Sequence, residues 1–478
     1  MNPVRYAIRE FVVLPLALWL MVAPAVALAQ STGTFAPTGS MTTSRYDHTA
    51  TLLPNGMVLI AGGVPINFPD ADVLASAELY DPATGNFTAT GSMTTGRAQH
   101  TATLLPDGRV LMAGGTESLT AEIYDLSAAV FARTGDMVAK TYSGPFAALL
   151  RSGKVLVAGY PTAQIFDPAT GNFFATSPYA AAAPSVLESV TLLADGRVLL
   201  TGAINICYEA LCANPGAQWA EIYDPLADHF SIAVGMQWWN DVYNASLLTS
   251  GEILLEGNGP GGGIQAEAQV FDPSDETFRT VASPLTSHGN GAATLLPDGT
   301  VLVTGGGVLS ELYVQANAAF SAAGNMIKAR EAHTATLLRD GTVLIAGGFG
   351  PDVGSSAELY KPAALVQAPV LFSLSGNGED QGAIWHAASG AVASPGNPAA
   401  AGEILSMYTT SLTDGSVIPP LVAVGGHLSE ILFFGSAPGY RGYYQVNFRV
   451  PDGIAPGAAP VRLTYLGRPS NEVGIGVQ

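Results

Sequence analysis

The chain has 478 residues, 48% of them hydrophobic and only 12% charged, a balance that accommodates two folded domains and excludes a disordered protein. A formal charge of -19 argues against nucleic acid and anionic membrane as partners, and leaves neutral ones such as glycans open. Cysteine is confined to Cys207 and Cys212, so no disulfide framework organises the fold.

Residues 1–29 read as an export signal. Arg5 and Arg9 supply a positive start, Phe11 to Val22 an apolar run, and Ala27-Leu28-Ala29 a small-residue cleavage site. That run is shorter than the roughly 20 residues a membrane helix needs, so no transmembrane segment is expected after cleavage. The mature protein is therefore expected to be secreted or associated with the cell surface.

From residue 32 to residue 362 one grammar repeats. The stretch Thr103-Leu104-Leu105-Pro106-Asp107-Gly108, followed by Arg109-Val110-Leu111, has relatives beginning at Thr51, Ala148, Thr191, Ser246, Thr294 and Thr336. Each places Gly after a short polar or small residue between two β-forming runs, which predicts a hairpin. A third strand follows, such as Ala77-Glu78-Leu79-Tyr80 or Ala121-Glu122-Ile123-Tyr124, and in six modules a turn then leads to a phenylalanine: Phe87, Phe131, Phe173, Phe230, Phe278 or Phe320. Four short strands per period predict a seven-bladed β-propeller. The seventh module stops at Tyr360-Lys361-Pro362 without a fourth strand. Thr34-Phe35-Ala36-Pro37-Thr38-Gly39 matches Asn86 to Gly91 and is expected to supply it, closing the ring.

Strand direction sorts the connections. The Asp-Gly hairpins and the Asp-Pro turns fall on one face and are short. The opposite face collects the insertions Val64 to Leu74, Ala203 to Gln218, Gly257 to Glu267 and Phe349 to Ser356. Either that elaborated rim binds a ligand or its loops have drifted neutrally. Links entering each module carry Arg45, Arg97, Tyr142, Ser185, Asn240, His288 and Arg330 at one equivalent position, with His48, His100 and His333 three residues after the arginines. Two readings stand side by side. The guanidinium and imidazole groups bond neighbouring blades, or Arg45, Arg97, Tyr142, Asn240, His288 and Arg330 form a ligand-binding rim selecting an anionic or hydroxyl-rich ligand. Trp238-Trp239 either floor a sugar-binding cleft or pack into the ring. Cys207 and Cys212 lie in one long loop, and in an exported chain a local disulfide is expected between them.

The paired glycines Gly62-Gly63, Gly114-Gly115, Gly305-Gly306 and Gly347-Gly348, each followed by a Glu-x-Tyr element, make the modules resemble Kelch repeats of the bacterial and galactose-oxidase-like kind. Galactose oxidase and its relatives join such a propeller to an Ig-like domain and hold copper with two histidines and two tyrosines, one linked to a cysteine. No Tyr-His dipeptide occurs here, both cysteines sit together, and neither His386 nor His427 has a tyrosine neighbour. The sequence accordingly offers no catalytic residues, no metal ligands and no cofactor, and favours a non-enzymatic reading over a copper radical oxidase.

Beyond Pro362 the repeat ends, and short strands from residue 368 to 478 predict an Ig-like β-sandwich. Gly435 to Asn447, with Val450-Pro451 and Pro469-Ser470-Asn471, resembles the uncharacterised Solibacter-type C-terminal domain of exported proteins, for which no activity is implied. Gln445 and Asn447 read as residues that satisfy turns and strand ends. The function expected is a non-catalytic binding scaffold for a glycan or an extracellular or envelope protein; a structural envelope component is the other non-enzymatic alternative.

Overall fold

A computed structural model describes residues 33–66, 73–115, 119–141, 144–181, 186–204, 207–208, 211–212, 217–233, 236, 242–258 and 266–478, with backbone only at 203–204, 207–208, 211–212, 217–218, 243 and 258. The signal-like segment 1–29 lies outside the described residues. Described regular structure is all β apart from one short 3-10 turn at Gln315–Asn317.

Seven four-stranded antiparallel sheets fill the chain from Thr34 to Lys361. The first comprises Thr49–Leu52, Val58–Ala61, Ala77–Asp81 and Asn86–Ala89, and the next five repeat that order along the chain. In the seventh, Thr334–Leu337, Val343–Ala346 and Ala357–Lys361 are joined by Thr34–Pro37, with Phe35 opposite Tyr360 and Thr34 opposite Lys361. Strand one of every sheet contacts strand one of the sheets on either side, and the last returns to the first. The result is a closed, propeller-like ring.

Local chemistry explains why each module folds this way. In the first hairpin Asn55 Oδ1 accepts the Met57 N–H at 3.1 Å, and in the second Asp107 Oδ1 accepts the Arg109 N–H at 3.0 Å. The glycine that follows takes a positive φ, +89° at Gly56 and +93° at Gly108, which an L-residue adopts at a cost. Second strands, such as Val58–Ala61 and Val110–Ala113, are buried along their whole length because both faces are covered by neighbouring sheets. The aromatic residues of the third and fourth strands meet in register. Tyr80–Phe87, Tyr124–Phe131, Phe166–Phe173, Tyr223–Phe230, Phe271–Phe278 and Tyr313–Phe320 have ring centroids 4.6–5.1 Å apart, and Tyr360 meets Phe35 across the closure at 5.0 Å.

Two of the expected long loops are partly strand. The fourth sheet extends through Ile204 opposite Ala217, followed by a two-stranded ladder that puts Cys207 opposite Cys212. The fifth extends to Asn258 opposite Ala266.

Residues beyond 368 form two further four-stranded sheets around one apolar core that includes Leu405, Met407, Val446, Phe448, Val461 and Leu463. One contains Ile384–His386, Ile404–Thr410, Tyr443–Arg449 and Ile431–Ser436; the other His427–Leu428, Leu421–Val424, Gly457–Tyr465 and Arg468–Val477. Thr32 to Gln478 is one compact unit. The second sheet lies across the short-turn end of the ring. Arg462 Nη2 donates to Pro106 O at 2.6 Å, Thr413 Oγ1 to Pro297 O at 3.0 Å, Val417 N to Thr249 O at 2.9 Å, and Arg339 Nη2 to Ser470 O at 2.9 Å. The short turns of the ring thus carry the contacts to the C-terminal sheets.

Candidate functional site

A cavity of about 670 Å³ runs along the ring axis. Its wall is built from innermost-strand residues such as Ala50, Leu104, Leu149, Leu247 and Leu295, and its floor from Leu421, Ala423, Leu428 and Arg462 of the C-terminal domain. With the short-turn end floored in this way, the long-loop end is the one at which a ligand would meet the axis.

The three arginines placed at that end by the sequence do not face it. Arg45 and Arg97 are 0% exposed and Arg330 2%. Arg45 Nη2 contacts Glu78 at 2.9 Å while Nη1 donates to Gly62 O at 2.7 Å; Arg97 reaches Glu122 at 3.2 Å and Gly114 O at 2.9 Å; Arg330 reaches Glu358 at 2.7 Å and Gly347 O at 2.8 Å. Burial lowers the pKa of each guanidinium, and the adjacent carboxylate opposes that effect. His288, also buried, sits between Glu256 at 2.5 Å and Glu311 at 3.3 Å. Burial pushes its pKa down, but the two carboxylates outweigh it and hold the ring above its ordinary value. Arg45, Arg97, His288 and Arg330 thus leave the ligand rim and become buried clamps, because each finds a carboxylate on the third strand of its own sheet. Tyr142, Trp238, Trp239 and Asn240 lie outside the described residues.

These clamps follow a rule visible in the sequence but not read from it. The third-strand carboxylate also accepts backbone N–H groups of the incoming link, as Glu78 does from Thr42 at 2.7 Å and Glu122 from Thr94 at 2.7 Å. Where the link carries Arg or His the third-strand residue is Glu78, Glu122, Glu311 or Glu358; where it carries Tyr142 or Asn240 the equivalent residue is the neutral Gln164 or Gln269. Gln164 still accepts the Val138 N–H at 2.7 Å. The fourth sheet departs from the rule, since Glu221 has Ser185 in the link; the indole Nε1–H of Trp219 donates to it at 3.1 Å instead.

The histidines of the Arg-x-x-His links join neighbouring sheets. His48 Nε2 lies 3.1 Å from Thr334 Oγ1, His100 Nε2 3.0 Å from Thr49 Oγ1, and His333 Nε2 2.8 Å from Thr304 Oγ1. Burial, reinforced by the nearby arginine, drives the pKa of His100 and of His333 down to about 3 and that of His48 well below its ordinary value, so all three are neutral.

The residue between the arginine and the histidine is the one that reaches the long-loop end. Asp47, Gln99, Asn290 and Ala332 occupy equivalent left-handed positions, with φ of 53°, 50°, 48° and 50°. Their backbones bond in series around the ring: Gln99 N to Asp47 O at 2.9 Å, Asp47 N to Ala332 O at 3.1 Å and Ala332 N to Asn290 O at 2.7 Å. Gln99 and Asn290 are exposed, Asp47 is half-buried, and Gln99 Nε2 donates to Asp47 Oδ2 at 3.1 Å. Burial raises the Asp47 carboxyl against the lowering effect of Gln99. Farther out, Tyr46 packs edge-on against the exposed Phe349 with centroids 5.8 Å apart. Sequence reasoning selected the arginines for their charge; the left-handed backbone turns the residue two places later toward the mouth.

No protein-family model matches this chain, and no curated protein matches it. Among solved structures it is similar to a fungal alcohol oxidase of the AA5 family in complex with copper, with a TM-score of 0.58, 17% identity, and coverage of 94% of this chain and 100% of that one. The likeness establishes a shared propeller-type β fold. It also overturns the sequence-based preference for a non-enzyme, because the fold is shared with a copper-complexed oxidase.

Copper needs several donors converging on one point. His48, His100 and His333 spend Nε2 on threonines of different sheets, His288 lies between two glutamates, and His386 contacts Glu403 at 2.5 Å and Asn397 O at 3.0 Å. His229 and His427 are exposed on separate strands. No three His, Cys, Asp or Glu side chains gather as a metal group among the described residues, which do not fit a copper centre. Among those residues no helix is long and apolar enough to cross a membrane.

Proposed function

We propose that the chain is an exported seven-bladed Kelch-type propeller with an Ig-like sandwich, resembling the Solibacter-type domain, and that it recognises a hydroxyl-rich ligand at the long-loop mouth. The observation that carries this reading is the arc of Asn290, Ala332, Asp47 and Gln99, with its three polar side chains, at the end of the axis away from the sandwich. Carboxylate and amide groups on a backbone locked by serial hydrogen bonds suit the donors and acceptors of a glycan or a polar extracellular protein. On their place in the sequence, Trp238 and Trp239 are proposed to add aromatic surface there. Binding of soluble polysaccharides and envelope extracts should fall with Gln99→Ala and Asn290→Ala, and with Trp238→Ala and Trp239→Ala. A ligand bound equally well by all of these folded variants would dismiss the assignment of the mouth.

A second reading, favoured by the shared fold, is oxidation of an alcohol. Elemental analysis for tightly held copper, together with peroxide formation from primary alcohols, tests it. One copper per chain with turnover supports an oxidase, and neither after copper loading rejects it. We further propose a disulfide between Cys207 and Cys212, which the backbone register places opposite each other; close to two titratable thiols per denatured, unreduced chain would count against it.

A further inference from the structure

We propose that the sandwich carries a separate binding face for a neutral polysaccharide, on the outer surface of the sheet that contains Ile384–His386, Ile404–Thr410, Tyr443–Arg449 and Ile431–Ser436. Strand alternation divides this sheet cleanly. Leu405, Met407, Val446 and Phe448 point into the core, while Ser406, Tyr408, Gln445 and Asn447 point out. The other sheet of the sandwich, through Leu421, Ala423, Arg462 and Thr464, faces the ring, so this surface points away from it.

Register draws one row across all four strands: Trp385 opposite Ser406, Ser406 opposite Asn447, and Asn447 opposite Phe433. The next row places Tyr408 opposite Gln445 and Gln445 opposite Gly435. Aromatic rings therefore flank a strip of hydroxyl and amide groups, and three strand spacings separate Trp385 from Phe433, about 14 Å. Phe433 is 46% exposed. The Phe433 ring reaches back over Gly435, where an added Cβ would lie 3.4 Å from the ring, in ordinary van der Waals contact. Trp385 and Tyr408 meet edge-on with centroids 5.8 Å apart. Gln445 Nε2 donates to Asn447 Oδ1 at 2.9 Å, which leaves Gln445 Oε1 and Asn447 Nδ2 without a partner among the described residues. Both amides are mid-strand and outward, where the sequence reading had them ending strands and satisfying turns.

Charge selects the occupant. The two rows carry no ionised side chain, on a chain whose formal charge is -19, and the nearest outward cation, Arg449, is paired with Glu430 at 2.8 Å. A nucleic acid or acidic glycan finds no counter-charge here. A protein partner would favour an apolar centre with polar residues at its rim, whereas the row from Trp385 to Phe433 has the hydroxyl of Ser406 and the amide of Asn447 in its middle and its rings at the ends. Sugar rings offer C–H faces to aromatic quadrupoles and hydroxyls to amides, which matches this order.

Affinity electrophoresis of the full chain in gels containing barley β-glucan, xyloglucan or galactomannan, with alginate as the anionic control, tests the proposal. At least one neutral polymer should retard the protein and alginate should not. Trp385→Ala and Phe433→Ala should each weaken retardation about tenfold, as truncation of an aromatic anchor does, and should do so equally in a Gln99→Ala, Asn290→Ala background, which removes any contribution from the propeller mouth. Gln445→Ala, which removes no core contact, should weaken it as well. The proposal is overturned if no neutral polymer retards the wild type, if the sandwich variants bind as the wild type does, or if Trp385→Ala instead abolishes a concentration-dependent self-association.

Discussion

Replacing Glu122 with Gln isolates the buried clamp of the second sheet. The amide keeps the size of the side chain and an oxygen for the Thr94 N–H, but it removes the charge facing Arg97, which is 0% exposed and 3.2 Å away. A guanidinium left buried without its counter-charge costs about 3–5 kcal/mol. The third sheet shows the remedy, since Gln164 fills the same place where the link has no arginine. Glu122→Gln combined with Arg97→Met should therefore recover most of the loss, leaving a deficit of about 1–2 kcal/mol from the carbonyl of Gly114 and the hydroxyl of Thr120 that Arg97 no longer serves. With an unfolding entropy of about 2 cal/mol/K per residue and the unit melting together, 4 kcal/mol lowers the midpoint by about 4–5 °C. Calorimetry of wild type, both single variants and the double variant gives the cycle. A Glu122→Gln midpoint within about 1 °C of wild type, or a double variant no better than the single, would refute the clamp.

Acid should loosen the ring through its histidines. His100 and His333 are neutral in the fold with pKa about 3, against about 6.5 unfolded, so their contribution is complete above pH 6.5 and is lost as the pH falls toward 3. By pH 5 each accounts for about 2 kcal/mol of lost stability; a His100→Gln, His333→Gln chain should show a flatter stability profile between pH 6.5 and 5, and an unchanged profile would contradict it. His288 works in the opposite sense: its raised pKa gives stability that is present below pH 6.5 and is lost as the pH rises through the folded value, so His288→Asn should remove a decline on the alkaline side of the profile. Deleting residues 34–37 should uncover the edge of Ala357–Lys361 and leave Tyr360 without Phe35, seen as association in light scattering; a monodisperse deletion variant would show the closure to be dispensable. Truncation after Pro362 should expose Leu and Ala side chains of the axial cavity and increase binding of a hydrophobic dye, and no increase would mean that the sandwich does not seal it.

Much of the ring was legible because its determinants are local. A glycine at each hairpin, an aromatic residue on the third strand and a phenylalanine on the fourth recur at fixed offsets, so the strands, their register and the partner of Thr34–Pro37 follow from short-range pattern. The strand positions of the C-terminal domain followed in the same way from alternation. What lay beyond the sequence was direction in space. Arg45 and Asp47 are two residues apart, and only the left-handed backbone at Asp47 and the carboxylate of Glu78 decide that the charged group is buried and the neighbour faces the mouth. Likewise, Gln445 and Trp385 are distant in sequence and become neighbours on one face only through the pairing of four strands. That the hairpin turns are short could be read from residue order; that Arg462, Thr413 and Val417 rest on them required the C-terminal sheets in place. Pattern along the chain determines which residues can pair, while burial and the approach of distant segments determine which of them remain free to act.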